Sequence, residues 1–178
     1  MHTHELLFVD LETTGLDFER HEIVQLALVK TSSYRDGLVI LSERVWKIRP
    51  THIETANSVS LGVSGYVPDE WKDAVSLEDA LREFAALTKG AMMVSHNVAY
   101  DFGFLWKAFQ DTGIENTMHY HKLDTISIAY AKLNGESEPN QYALGALAAR
   151  FHIPQPHAHD ALADVHTMIA LYKVLMNM

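Results

Sequence analysis

Leu6-Leu7-Phe8-Val9 is an unbroken apolar run that leads straight into Asp10 and Glu12, and then into the turn signal Thr13-Thr14-Gly15. A short apolar run bounded by turn residues reads as a buried strand. The fold must therefore bring two carboxylates to the end of a strand that otherwise belongs to the core. Further strands follow at Ile23 to Lys30 and at Val45 to Arg49, the second of these being the end of a strand that stops at Pro50. Thr51 to Lys72 reads as mostly irregular. Ser76-Leu77-Glu78-Asp79 combines an N-cap with an acidic first turn, and Leu77, Ala80, Leu81, Phe84 and Leu87 then recur at helical spacing. Ala91 to Val94 is a fourth apolar strand, followed by a helix from Val98 to Gln110 that Gly113 closes. Lys122 to Asp124 reads as a short fifth strand. Helices over Thr125 to Leu133, Tyr142 to Phe151 and Asp160 to Met176 complete the chain, with Leu162, Val165, Ile169 and Tyr172 forming one apolar stripe on the last. Strands first, then strand and helix in alternation, make an α/β domain. The long crossover between the first and fourth strands rules out a simple doubly wound order.

The 178 residues contain no repeat, low-complexity tract or linker, which predicts a single domain over residues 1–178. Apolar residues make up 48 % and charged residues 21 %, an ordinary globular balance. No apolar run is long enough to span a bilayer, and the first residues lack a basic region and a cleavage site. There is no cysteine, so disulfides and thiolate metal sites are excluded. A cytoplasmic protein without a membrane partner is expected. The formal net charge of −9 argues, by itself, against duplex binding through a basic patch. Carboxylates that gather divalent cations would reverse the local sign of that charge.

Four acids stand out. Asp10 and Glu12 are two apart, so in a strand they share a face and repel one another unless something positive lies between them; the same pair also suits a strand end meeting solvent. Asp101 follows an apolar strand and falls in a helical first turn, where the helix dipole alone would explain an acid. Tyr100, Phe102 and Phe104 around it point to burial, and buried charge needs a partner. Asp164 lies in the final helix, five residues after His159. Asp160 reads as a dipole partner for that helix. Hard cations such as Mg²⁺ and Mn²⁺ take oxygen ligands. Two of them about 4 Å apart can hold the attacking and leaving oxygens of a phosphoryl transfer, and a neutral histidine can take the proton of an attacking water.

Asp10-Leu11-Glu12-Thr13-Thr14-Gly15-Leu16, His96-Asn97-Val98-Ala99-Tyr100-Asp101 and His159-Asp160-Ala161-Leu162-Ala163-Asp164 together resemble the three exonuclease motifs of the DEDDh (DnaQ-like) family. That family includes the proofreading epsilon subunit of bacterial DNA polymerase III and ribonuclease T. The resemblance implies a ribonuclease H-like fold, a mixed central sheet flanked by helices. It implies 3′→5′ exonuclease activity on single-stranded or frayed 3′ ends of DNA or RNA, with a DNA polymerase as a candidate partner and nucleoside 5′-monophosphates as products. Asp10, Glu12, Asp101 and Asp164 would bind two divalent ions, Mg²⁺ or Mn²⁺, with Asp10 shared between them and His159 as general base. Leu11, Thr13, Thr14, Gly15 and Leu16 would cradle the terminal nucleotide, with His96 and Asn97 near its phosphate. An RNA-specific member, or a non-catalytic scaffold on the same fold, are the alternatives.

Three positions depart from the family pattern: Tyr100 where phenylalanine is usual, Gln25 where many members carry glutamate, and Ser64 where many carry histidine. The histidine pairs His2/His4 and His119/His121 read as surface strand residues, because neither pair has a third ligand nearby in sequence.

Overall fold

The protein is described by a computed structural model that covers residues 4–134, 139–155 and 160–178. Its first strand, β1 (Leu6–Thr13), runs beyond the apolar segment and carries both acids inside it. β2 (Ile23–Thr31) pairs antiparallel with β1, and β3 (Ile40–Lys47) pairs antiparallel with β2. β4 (Met92–Ser95) and β5 (Lys122–Asp124) add on the other side of β1 in parallel. Among the described residues the sheet therefore has the order β3-β2-β1-β4-β5 and is mixed. β1 lies at its centre and, with Phe8 opposite Val94, runs on past the C-terminal end of β4.

The strict alternation of β1 decides which face each acid meets. Leu7, Val9 and Leu11 pack into the core beneath the helices α2 (Leu77–Thr88) and α3 (Val98–Thr112), alongside Leu81, Phe84 and Leu105. Leu6 and Phe8 point the other way, onto Val165, Met168 and Tyr172 of α6 (Ala161–Asn177). Asp10 and Glu12 continue this second series, so the period of two aims both at the α6 side. The expected stripe on α6 proves too narrow. Leu171 and Leu175 fill a third cluster with Ala129 of α4 (Thr125–Lys132) and Leu147 of α5 (Leu144–Arg150), so the helix is buried on two faces.

Local signals account for the helix ends. Ser76 accepts from Asp79 N, Asp160 from Ala163 N, and Asp124 from Ile126 N, each satisfying a first-turn donor. Gly113 ends α3 at φ 67°, the left-handed cap that glycine adopts without strain. The stretch expected to be irregular holds a short helix, α1 (Ser58–Val63). Its Ser-Val-Ser-Leu-Gly-Val sequence has poor helix propensity. Asn57 starts it by accepting from both Val59 N and Ser60 N. The third strand stops at Lys47, two residues earlier than expected, and the helix expected from Tyr142 begins at Leu144. His119 and His121 precede β5 instead of lying in a strand. The ring of His4 comes to 4.4 Å from that of His119, a neighbour that sequence distance concealed. His2 lies outside the described residues.

Candidate active site

β1 presents Asp10 opposite Ala27 and Glu12 opposite Gln25. α6 crosses this face and returns Asp164, in its first turn, toward them. Oxygen atoms of Asp10, Glu12 and Asp164 lie within 4.8 Å of one another, the spacing of a shared cation site. Gln25 fixes the approach of α6 by accepting from Ala161 N at 3.2 Å. A neutral amide there adds no further negative charge opposite Glu12.

Asp101 enters from α3, which begins just after β4. Only 2 % of it is exposed. Its carboxylate accepts from the Ser95 hydroxyl and from the Leu11 backbone, which holds it against β1 and β4. The four acids act on one another. Burial, followed by the charges of Asp101, Glu12 and Asp164, pushes Asp10 well above the carboxylate range. Burial, then Asp164, Asp160 and Asp101, raises Glu12 to about 8. Asp101 rises to about 7, mainly through burial, with the Ser95 hydroxyl opposing the shift. Among the described residues, the charged neighbours that perturb Asp10 and Glu12 are other carboxylates. Such a cluster is built to be completed by positive charge, and an all-oxygen donor set suits Mg²⁺ or Mn²⁺.

Asp10, Glu12 and Asp164 line one wall of a cavity of about 480 Å³, whose other walls include Thr13, Leu16, Val59, Ser60, Val63, Asn97 and Tyr100. The turn after β1 forms its rim. Thr14 is fully buried; its N–H donates to Glu22 O at 2.8 Å and its carbonyl accepts from Asn57 N at 2.8 Å. That last bond carries α1 to the cavity and explains why a weak helix is held there. A Cβ at Gly15 would sit 2.5 Å from the His21 ring, so a larger residue there has to displace that side chain. A separate cavity of about 510 Å³, lined by Phe18, Arg20, Arg49 and Lys107 among others, contains none of the four acids.

The structure thus brings Asp10, Glu12 and Asp164 together, with Asp101 behind Asp10. Leu11, Thr13, Leu16 and Asn97 reach the cavity. Leu16 is 78 % exposed, free to meet a ligand. His96 is placed differently: its ring is held between Thr125 Oγ1 at 2.8 Å and Tyr142 O at 2.9 Å, and it does not line the cavity. Asp160 is the N-cap of α6, as its position in the sequence suggests. His159 and His157 lie outside the described residues. Sequence reasoning missed Gln155, whose amide donates to Asp164 at 3.0 Å. No local pattern marks a glutamine in a connecting segment. It also noted Tyr100 only as a departure from the family pattern, although this hydroxyl meets the turn after β1.

Comparison with known proteins agrees with this geometry. A family model described as Exonuclease (RNase_T) matches residues 7–172. The DNA polymerase III PolC-type of Halalkalibacterium halodurans is 29% identical over 163 residues, covering 90% of this chain and 10% of the polymerase. That of Streptococcus sanguinis is 29% identical over 155 residues, covering 87% of this chain and 10% of the polymerase. The chain spans about a tenth of the length of these curated relatives. E. coli Exonuclease I in complex with a dT13 oligonucleotide superposes with a TM-score of 0.80 at 19% identity, over 97% of this chain and 41% of that chain. Exonuclease I from Methylocaldum szegediense gives a TM-score of 0.80 at 19% identity, over 98% of this chain and 40% of that chain. The mixed five-stranded sheet with helices on both faces is the ribonuclease H-like fold expected from the motifs.

Proposed function

Because this chain belongs to the exonuclease family, we propose that it is a metal-dependent 3′→5′ exonuclease acting on single-stranded or frayed 3′ ends of DNA and releasing nucleoside 5′-monophosphates. The exonuclease domain is assigned to residues 1–178 as a single unit. The carrying observation is the convergence of Asp10, Glu12 and Asp164 within 4.8 Å on one cavity wall. Helix capping or surface ion pairing does not account for Asp10 and Glu12, whose perturbing charges among the described residues are of like sign.

In this reading Asp10, Glu12, Asp101 and Asp164 hold two divalent ions, Mg²⁺ or Mn²⁺. Asp10 is the member common to both, the role that the resemblance to the family motifs implies for it. When bound, such ions acidify water and stabilise charge on phosphoryl oxygens. The chain does the rest. Leu16, Val59 and Val63 offer apolar surface to the terminal nucleoside beside the acids. The turn from Thr13 to Gly15 and Asn97 set where that nucleotide stops. His159 takes the proton of the attacking water on an imidazole nitrogen.

DNA is the substrate class favoured by the company the chain keeps: its curated relatives are DNA polymerases, and solved Exonuclease I structures hold dT13 and dA16 oligonucleotides. The same relatives support a DNA polymerase as partner. The test is digestion of 5′-labelled single-stranded DNA, single-stranded RNA and a duplex with a mismatched 3′ end, with Mn²⁺ present and with a chelator. A ladder that shortens from the 3′ end of DNA, and stops with chelator, is expected. Early release of the labelled 5′ nucleotide, degradation of RNA alone, or full activity in chelator would each overturn a named part of the reading.

A further inference from the structure

The Tyr100 hydroxyl stands 2.6 Å from Thr13 Oγ1 and 3.2 Å from Gly15 O. Thr13 Oγ1 in turn donates to Gly15 O at 2.7 Å. Gly15 O only accepts and lies within reach of both hydroxyls, and either hydroxyl can donate to the other. Both hydroxyl protons are thereby used inside the turn, and the three groups close a small ring of hydrogen bonds.

This ring joins two parts of the site that the backbone leaves separate. Thr13 and Gly15 belong to the turn after β1 that rims the cavity, while Tyr100 lies in the first turn of α3, beside Asp101. The aromatic ring itself is held independently, packing on Phe104 at 5.1 Å between centroids. The hydroxyl, the one atom that phenylalanine lacks, is therefore what ties the turn. Further along the loop, Phe18 covers Gly103 of α3 and stacks edge-on against Phe104.

We propose that Tyr100 is a positioning residue whose hydroxyl locks the Thr13–Gly15 turn in the conformation that receives the terminal nucleotide. This deepens the proposed function and rests on it for the identity of the ligand. A locked turn lowers the ordering needed on binding, so its loss weakens binding without touching the acids. A single hydrogen bond of this kind corresponds to a change of about three- to tenfold.

The experiment compares wild type, Tyr100→Phe, Thr13→Val and the double variant. Steady-state hydrolysis of a 5′-labelled single-stranded DNA is measured with saturating Mn²⁺, together with inhibition by deoxythymidine 5′-monophosphate. Tyr100→Phe is expected to raise KM and the inhibition constant about three- to tenfold, with kcat within about twofold of wild type. The double variant should lose no more than the worse single one, because both remove the same ring of bonds. Thr13→Ser, which keeps the hydroxyl, should stay closer to wild type than Thr13→Val in both KM and exchange. Hydrogen exchange of the peptide containing Gly15 and Leu16 supplies a readout independent of turnover, and Tyr100→Phe should accelerate it. Wild-type KM with unchanged exchange in Tyr100→Phe would overturn the lock. A change confined to melting temperature would reduce Tyr100 to a structural role and would also overturn it. A wild type that hydrolyses no DNA would instead refute the proposed function, and the exchange measurement would still decide the lock.

Discussion

Gln155 donates its side-chain amide to Oδ1 of Asp164 at 3.0 Å, from the segment that connects α5 to α6. Asp164 itself is 9 % exposed. An amide donor aims a carboxylate without neutralising it, so the oxygens keep their charge for a cation. Groups that orient metal ligands in this way typically contribute 10–100-fold to affinity. Gln155→Ala should accordingly weaken Mn²⁺ binding by about 10–100-fold, read directly by calorimetric titration of the protein without substrate. Wild-type affinity in that variant would show that Asp164 does not depend on Gln155 for its orientation.

The raised carboxylates fix a pH dependence for the metal-free protein. Glu12 ionises near 4.5 in the unfolded chain and at about 8 in the folded one. Between those values the native state holds more protons than the unfolded state, so stability falls as pH rises. Asp10 acts in the same direction. The melting temperature in chelator should drop from pH 5 to pH 8.5, and Mn²⁺ should reverse the trend because bound metal favours the ionised form. Asp10→Asn removes one of the repelling charges and should raise the metal-free melting temperature at pH 8 while abolishing turnover. A lower melting temperature for this variant would mean that repulsion is not what strains the cluster.

His159 occupies the motif position for a general base, which contributes about 10²–10⁴-fold to rate. His159→Ala should slow single-turnover cleavage by that order at saturating Mn²⁺ and leave Mn²⁺ affinity close to wild type, since the carboxylates bind the metal. His157 lies two residues before that motif begins, so His157→Ala should stay near wild type. The reverse pattern would move the base to His157.

The acids were legible in the sequence because their signals are local. Alternation along β1 places Asp10 and Glu12 on one face, and an N-cap followed by helical spacing places Asp164 in the first turn of α6. What stayed hidden depends on contacts between distant segments. α1 could not be read from a six-residue stretch of poor helix formers, since its place is fixed by Asn57 N reaching Thr14 O at 2.8 Å. The second buried face of α6 exists only because α4 and α5 pack on it, and no stripe on a single helix announces that. Tyr100 and Gln155 act through a hydroxyl and an amide whose partners lie 87 and 9 residues away. Motif reading brought His96 close to the substrate phosphate. The fold commits both of its ring nitrogens to protein partners instead.

That placement of His96 leads to an outcome opposite to the acids. Tyr142 O can only accept, so Nε2 carries the ring proton and Nδ1 accepts from the Thr125 hydroxyl. The ring is neutral in this arrangement. Burial lowers its pKa from 6.5, against the Tyr142 carbonyl and the Asp124 and Asp164 charges, which favour protonation. Below pH 6.5 the unfolded chain takes up a proton that the folded ring resists, so this contribution is lost as pH falls. His96→Leu should destabilise the protein by about 1–3 kcal/mol at pH 7.5, through the bonds left unmade at Tyr142 O and Thr125. For a chain of this size each kcal/mol corresponds to about 2–4 °C in melting temperature. The variant should also lose part of the decline in stability between pH 6.5 and 5. Taking the difference between wild type and variant cancels the carboxylates, which are common to both. At saturating Mn²⁺ and a temperature well below melting, kcat should remain within about tenfold of wild type. A variant with wild-type melting behaviour but a rate reduced by about 10³-fold would place His96 in the chemistry and remove it from the framework.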